Sequence, residues 1–345
     1  MSALAIASLD PVAGDSAGGD DGSIALGPSN AFVTSPAVQD LTERALAYLE
    51  AGYAVHFSGP AGTGKTTLAF HVAAQLGRPA ILLHGDHEFG SSDLIGRESG
   101  YRKSRVVDNY ISSVIKLEEH GQPLWIDNRI TTACRLGHSI IYDEFNRSKP
   151  EANNPFLSIL SEGVLNVPGL HGRGEGYVNV HPHFRAIFTS NPSEYAGVYS
   201  TQDALLDRMI TLYLDHYDRD TEIAITVSKS GIDRSRAERV VDLVRRCRTE
   251  GPDPHYPTLR ASIALARVLA ARGGEASGHN PIFRSACRDI LRPAALKGGR
   301  DTAGASAFVD LLLRRFETSD VDATTPATPD QRPDRRAALR SKGGK

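Results

Sequence analysis

Long hydrophobic runs are missing from this chain. Nowhere in its 345 residues do about 18 apolar positions follow one another, so no transmembrane helix and no membrane insertion are expected. The start, Met1-Ser-Ala-Leu-Ala-Ile-Ala7, has neither the basic stretch nor the long apolar segment of a secretory leader. Cysteine is scarce: Cys134, Cys247 and Cys287 are odd in number and far apart. Neither a disulfide framework nor a paired metal spacing follows from them, and a reducing cytoplasm is the expected compartment. Net charge is nearly absent as well. A formal balance of −2 leaves no basic excess to displace counterions from phosphates, which argues against nucleic acid as a partner. What is present, 40% apolar and 23% charged residues, is ordinary for a globular protein with one large core or two smaller ones.

The composition divides the chain into four parts. Residues 1–35 are rich in Gly, Ala and Ser, carry Asp10, Asp15, Asp20 and Asp21, and contain no Lys or Arg; they are expected to be a disordered acidic tail. From 36 to 217, apolar runs alternate with helical patterns. Strands are expected at 53–57, 79–84, 139–142, 184–190 and 209–214, and helices at 67–76, 106–119 and 150–162, the last begun by a proline. That alternation points to an α/β fold with a parallel sheet covered by helices. From 218 to 316 strand signals stop, and helical stretches near 219–229, 234–249, 257–272, 280–293 and 302–316 suggest a small all-helical second domain. Residues 317–345, Pro/Thr/Asp-rich and then basic, read as a disordered tail or a partner-docking peptide.

The most specific local signal is a complete phosphate-binding loop, Gly59, Pro60, Ala61, Gly62, Thr63, Gly64, Lys65 and Thr66, followed by Thr67 as a helix begins. Its strand–loop–helix setting separates it from a chance match. The glycines let successive backbone N–H groups converge on phosphates, and the helix N-terminus adds positive potential. Lys65 would reach the β- and γ-phosphates of ATP, and the Thr66 hydroxyl would ligate Mg2+. About 80 residues on, Ser139-Ile-Ile-Tyr-Asp-Glu144 has the form of a Walker B strand. Asp143 would hold Mg2+, and Glu144 would polarise the attacking water.

Three further residues suit the same chemistry. Asn191, in Thr189-Ser-Asn-Pro192, would orient the water or touch the γ-phosphate, unless it only makes an Asn-Pro turn. Arg208 would project toward a neighbouring subunit as an arginine finger, or pair with a surface acid. Arg260, at the start of a helix in the all-α part, would reach back to the γ-phosphate. The His84–Glu88 cluster and the His181/His183 pair lack zinc-site spacing, and no metal is assigned to them. Residues 165–180, with a Gly-rich tip at 171–176, look like a hairpin; it is either a solvated element or a moving loop that touches a substrate.

In this order the motifs resemble the AAA+ P-loop NTPases, and within them the MoxR branch. The resemblance is carried by the phosphate loop, Asp93-Leu-Ile-Gly96, Asp143-Glu-Phe-Asn-Arg147, Val167-Pro-Gly169, His181-Pro-His-Phe-Arg185, Thr189-Ser-Asn-Pro192 and Leu206-Asp-Arg208. Residues 100–110, Trp125-Ile-Asp-Asn-Arg129 and 141–153 are similar to the gas vesicle (GvpN) group of the CbbQ/NirQ/NorQ/GvpN family. The similarity covers roughly residues 35–300. It implies an α/β ATPase domain with a helical lid, working as a ring, a hexamer by the resemblance, and hydrolysing ATP with Mg2+. It further implies a chaperone or assembly factor for gas vesicles, cytoplasmic or vesicle-associated, with vesicle structural or accessory proteins as partners. Two alternatives stand beside it: a CbbQ- or NorQ-like factor acting on Rubisco or a metalloenzyme, and a scaffold that binds ATP without hydrolysing it.

Overall fold

The computed structural model describes residues 23–24, 26, 32–88, 90–108, 116–167, 176–192, 199, 203–296 and 301–324, with the backbone alone for 97–126 and 318–324. Helix α1 (Pro36–Glu50) leads into β1 (Ala54–Ser58), α2 (Lys65–Gln75), β2 (Ala80–His84) and α3 (Ser91–Ile95). Then come β3 (Gly96–Asp108), β4 (Lys116–Asp127), α4 (Arg129–Leu136) and β5 (Ser139–Asp143). A 3-10 turn at Phe145–Arg147 precedes α5 (Pro150–Asn153), α6 (Pro155–Glu162), β6 (Val164–Asn166) and β7 (Tyr177–Asn179). Strand β8 (Arg185–Ser190), α7 (Asp203–Leu206) and β9 (Met209–Tyr213) follow. The rest is helical: α8 (Arg219–Ser230), α9 (Arg234–Glu250), α10 (Leu259–Arg272), α11 (Pro281–Leu296) and α12 (Thr302–Thr324).

Strands β2, β5, β8, β1 and β9 form one sheet in that order, and all its pairings are parallel. Side chains on a strand alternate between faces, and the two buried clusters follow that period. Ile141, Ile187, Val55 and Phe57 pack with α1 and α2 on one face. Ile140, Tyr142, Ala186 and Phe188 pack with α3 to α6 on the other. A third cluster, built from Ile223, Val240, Leu265, Phe283 and Leu312 among others, fills the interior of α8 to α12. Asp218 and Asp233 start α8 and α9 as N-caps, each carboxylate accepting a backbone N–H at 2.9 Å.

Four expectations are corrected. The helix expected over 106–119 is instead part of an antiparallel ribbon, with Val106 opposite Glu118 and Val107 opposite Leu117; residues 109–115 lie outside the described ones. Adjacent β-branched valines favour extended backbone, and pairing across the ribbon outweighs a helical spacing read from four apolar positions. The helix expected over 150–162 is divided between α5 and α6, because Pro155 has no N–H to continue the ladder.

The acidic tail is not wholly outside the fold. Ile24 and Ala80 exchange backbone hydrogen bonds of 2.8 and 2.9 Å, and Phe32 stacks on His71 at 3.7 Å. These apolar residues find cover that the surrounding Gly, Ala and Asp cannot use. Helix α12 runs past 316 to Thr324, and the Glu317 carboxylate accepts from the Ser277 hydroxyl at 2.9 Å and from the Gly278 N–H. The ends of the expected hairpin at 165–180 pair as β6 and β7; residues 168–175 at its tip lie outside the described ones, as do 325–345. Among the described residues no helix is long and apolar enough to cross a membrane.

Candidate functional site

Parallel strands end on one side of the sheet, and the chemistry-bearing residues gather there. The loop between β1 and α2 is shaped by glycine: Gly62 and Gly64 have φ of +76° and +82°, a region open to glycine at little cost. At Gly62 a Cβ would come within 2.6 Å of the Thr258 hydroxyl, and at Gly59 it would run into the Leu214 carbonyl. The loop is therefore held on one side by the residues just after β9 and on another by those just before α10. Thr63 closes it from within, its hydroxyl donating to the Pro60 carbonyl at 3.0 Å. Ala61 is half-buried at the loop's crown and Thr67 is exposed in the first turn of α2.

Lys65 is buried and donates to the carbonyls of Gly59 and Pro60 at 2.8 and 2.7 Å. Its ammonium is thus already out of bulk water, on the loop that would cradle the phosphates. Thr66 opens α2 and donates to Asp143 Oδ1 at 2.7 Å. That oxygen also accepts from the Thr189 hydroxyl at 2.6 Å, while the Thr189 Oγ1 accepts the Glu144 N–H at 3.0 Å. One threonine on β8 thereby ties both acids at the end of β5. A threonine hydroxyl against a buried carboxylate is a hard-oxygen set of the kind Mg2+ takes. Together with glycine-only backbone in the loop, this arrangement fits ATP and Mg2+.

The two adjacent acids are in different surroundings. Asp143 is buried, with His84 Nδ1 3.7 Å from its second oxygen. Glu144 lies in the left-handed region at φ 52°, a strained position for a non-glycine residue, and its carboxylate is 2.8 Å from Arg147 Nε. Asn191 directly follows β8, between the strands that carry Asp143 and the phosphate loop; it is buried, and its carbonyl accepts from Asn146 Nδ2 at 3.4 Å.

Beneath the loop, His56 on β1 bonds Ser190 Oγ at 2.8 Å and Thr211 Oγ1 at 3.0 Å, bridging β8, β1 and β9. Burial, and then the nearby Lys65 charge, lowers its pKa to about 4, so it is neutral near pH 7. The ring stands edge-on to Phe145, the neighbour of Glu144.

Arg208 and Arg260 are placed differently from the rest. Arg208 is bound to the Ser161 hydroxyl and the Ala204 carbonyl, on α6 and α7, rather than to the phosphate loop or the acids of its own chain. Arg260 is exposed in the first turn of α10, two residues after the Thr258 that touches Gly62. Thr189, Arg147, His56 and Thr258 were not singled out from the sequence as site residues. Only Thr189 had an accessible signal, its position near the end of β8, two residues before Asn191.

Residues 54–209 match the AAA domain of the dynein-related subfamily. The chain is 49% identical over 278 residues to a protein named gas vesicle ATPase GvpN from Ancylobacter aquaticus, a match covering 81% of this chain and 78% of the relative. It is 44% identical over 239 residues to a protein of the same name from Haloferax mediterranei, covering 69% and 68%. A protein named CbbQ from Hydrogenophilus thermoluteolus is more distant, at 26% over 216 residues, covering 61% and 72%.

Proposed function

Because the chain belongs to the gas vesicle ATPase GvpN family of AAA proteins, we propose that it is an ATP-hydrolysing assembly factor for gas vesicles, active as a ring. The observation that carries the hydrolytic part is the junction of Thr66, Asp143 and Thr189, which joins the phosphate loop to the Walker B acids. Lys65 supplies a desolvated ammonium for the β- and γ-phosphates. Mg2+ held by Thr66 and Asp143 would neutralise charge on the phosphate oxygens. Glu144 polarises the attacking water once its carboxylate leaves Arg147, and Asn191 orients that water.

Arg208 completes the site from the next protomer, where its guanidinium stabilises charge on the phosphoryl group. Its contacts with α6 and α7, away from its own phosphate loop, support a role between subunits. Arg260 and Thr258 link the nucleotide to the helical part, so that hydrolysis shifts α8 to α12 and the β6–β7 hairpin. The higher identity to the GvpN proteins than to CbbQ favours vesicle proteins over Rubisco or a metalloenzyme as clients.

The test is Glu144→Gln in cells that make vesicles. It is expected to bind ATP, to lose turnover and to yield no vesicles. Normal vesicles with Glu144→Gln, and none with Lys65→Ala, would instead support an ATP-stabilised scaffold.

A further inference from the structure

Outside the nucleotide site, two buried nitrogens lack hydrogen-bond partners around a single cavity. His216 Nε2 and Arg248 Nη2 are both buried and unpartnered, and both residues line a cavity of about 280 Å3. Leaving a buried polar atom unsatisfied forfeits its hydration with nothing in return, so two at one place call for a ligand. Asp215, His216 and His255 each bring one ligand atom to the same place, and these atoms lie within 4.8 Å of one another.

From this we propose that Asp215, His216 and His255 form a binding site for a divalent transition-metal ion of the zinc class. Two imidazoles and one carboxylate are the donor set of three-ligand zinc sites, which leave a position for an outside ligand. Arg248, whose Nη2 is unpartnered, lines the same cavity, and its guanidinium suits an anionic oxygen, such as hydroxide or phosphate, in that position.

The local charges permit a cation. Arg245 and Arg248 also line the cavity, but the buried Glu222 accepts from both guanidinia, at 3.2 and 3.0 Å.

The site's position gives it a consequence. Asp215 and His216 lie in the linker between β9 and α8, directly after Leu214, which packs on Gly59; His255 lies three residues before Thr258, which packs on Gly62. A bound ion would pin together the two segments that hold the phosphate loop.

Cobalt is the probe. The full-length protein, free of nucleotide, is titrated with Co2+ and followed by visible absorption, and Zn2+ is then used to displace it. One equivalent is expected to bind. Asp215→Asn and His255→Ala are each expected to weaken binding by more than about tenfold, the lower bound for losing even an outer partner of a metal ligand. Circular dichroism confirms that each variant is folded, and His255→Gln replaces His255→Ala if the latter is not. Absence of a one-equivalent site, or unchanged binding in folded Asp215→Asn and His255 variants, overturns the proposal. ATP binding measured on the same samples is independent of this result, so a negative outcome leaves the ATPase reading standing.

Discussion

The sheet and the helical half hold their parts of the proposed nucleotide site in contrasting ways. On the sheet side the groups are gripped: Asp143 is buried under two threonine hydroxyls, Lys65 by two carbonyls, and His56 spans three strands. On the helical side Arg260 is exposed, and the junction with the phosphate loop is a contact of Thr258 with Gly62. Rigid placement suits groups that must meet a reacting atom, whereas a looser junction suits a part that has to move as the nucleotide changes. Glu144 is intermediate: its backbone is fastened to Thr189, but its carboxylate is half-exposed on Arg147.

The contrast can be broken most severely at Glu144. Glu144→Gln is expected to lower ATP turnover by about a thousandfold, within the range for loss of a general base, while ATP binding measured by calorimetry is retained. Next is Lys65→Ala on the gripped side. Removing an ammonium that makes charge-assisted hydrogen bonds should weaken ATP binding by roughly a hundredfold. On the helical side the sharpest loss is one of stability. Glu222→Ala leaves Arg245 and Arg248 without their shared buried carboxylate and should cost about 3–5 kcal/mol in urea denaturation.

His56 gives a smaller effect that depends on pH. Its folded pKa, about 4, lies below the unfolded value of 6.5. Above the unfolded value neither state binds the proton, and the folded state keeps its full stability. As pH falls from about 6.5 toward 4 the unfolded state alone takes up the proton, and stability declines by up to about 3 kcal/mol. His56→Gln should flatten that part of a Tm-against-pH curve. The smallest change is expected for Thr258→Ala: ATP affinity within about threefold of the parent, since the residue contributes packing and no charge. A hundredfold loss there would mean that the helical junction is as tightly built as the sheet side.

The part of the site that could be read in the sequence is the part encoded by neighbouring residues. The phosphate loop and the Asp143–Glu144 pair are each contiguous, and their spacing on a strand–loop–helix unit implies geometry directly. The five sheet strands were legible for the same reason, as short apolar runs. Thr189 meets Asp143 across 46 residues, and His56 meets Ser190 across 134; such pairings depend on strand order, which no local pattern states. Arg147 is only three residues from Glu144, but their ion pair depends on a left-handed residue that the sequence does not mark. The helix expected over 106–119 gives way to strand at both ends because period alone cannot separate helix from strand in a short mixed segment.

The pairing of Ile24 with Ala80 bears on how this protein should be handled. Among the described residues strand β2 borders the sheet, and an edge of this kind is a rim to which a stray polypeptide can zip itself. Two hydrogen bonds from the chain's own beginning guard part of it. A version trimmed to start at α1 would keep the phosphate loop, Asp143 and Glu144, but its shelf life in concentrated solution should be shorter.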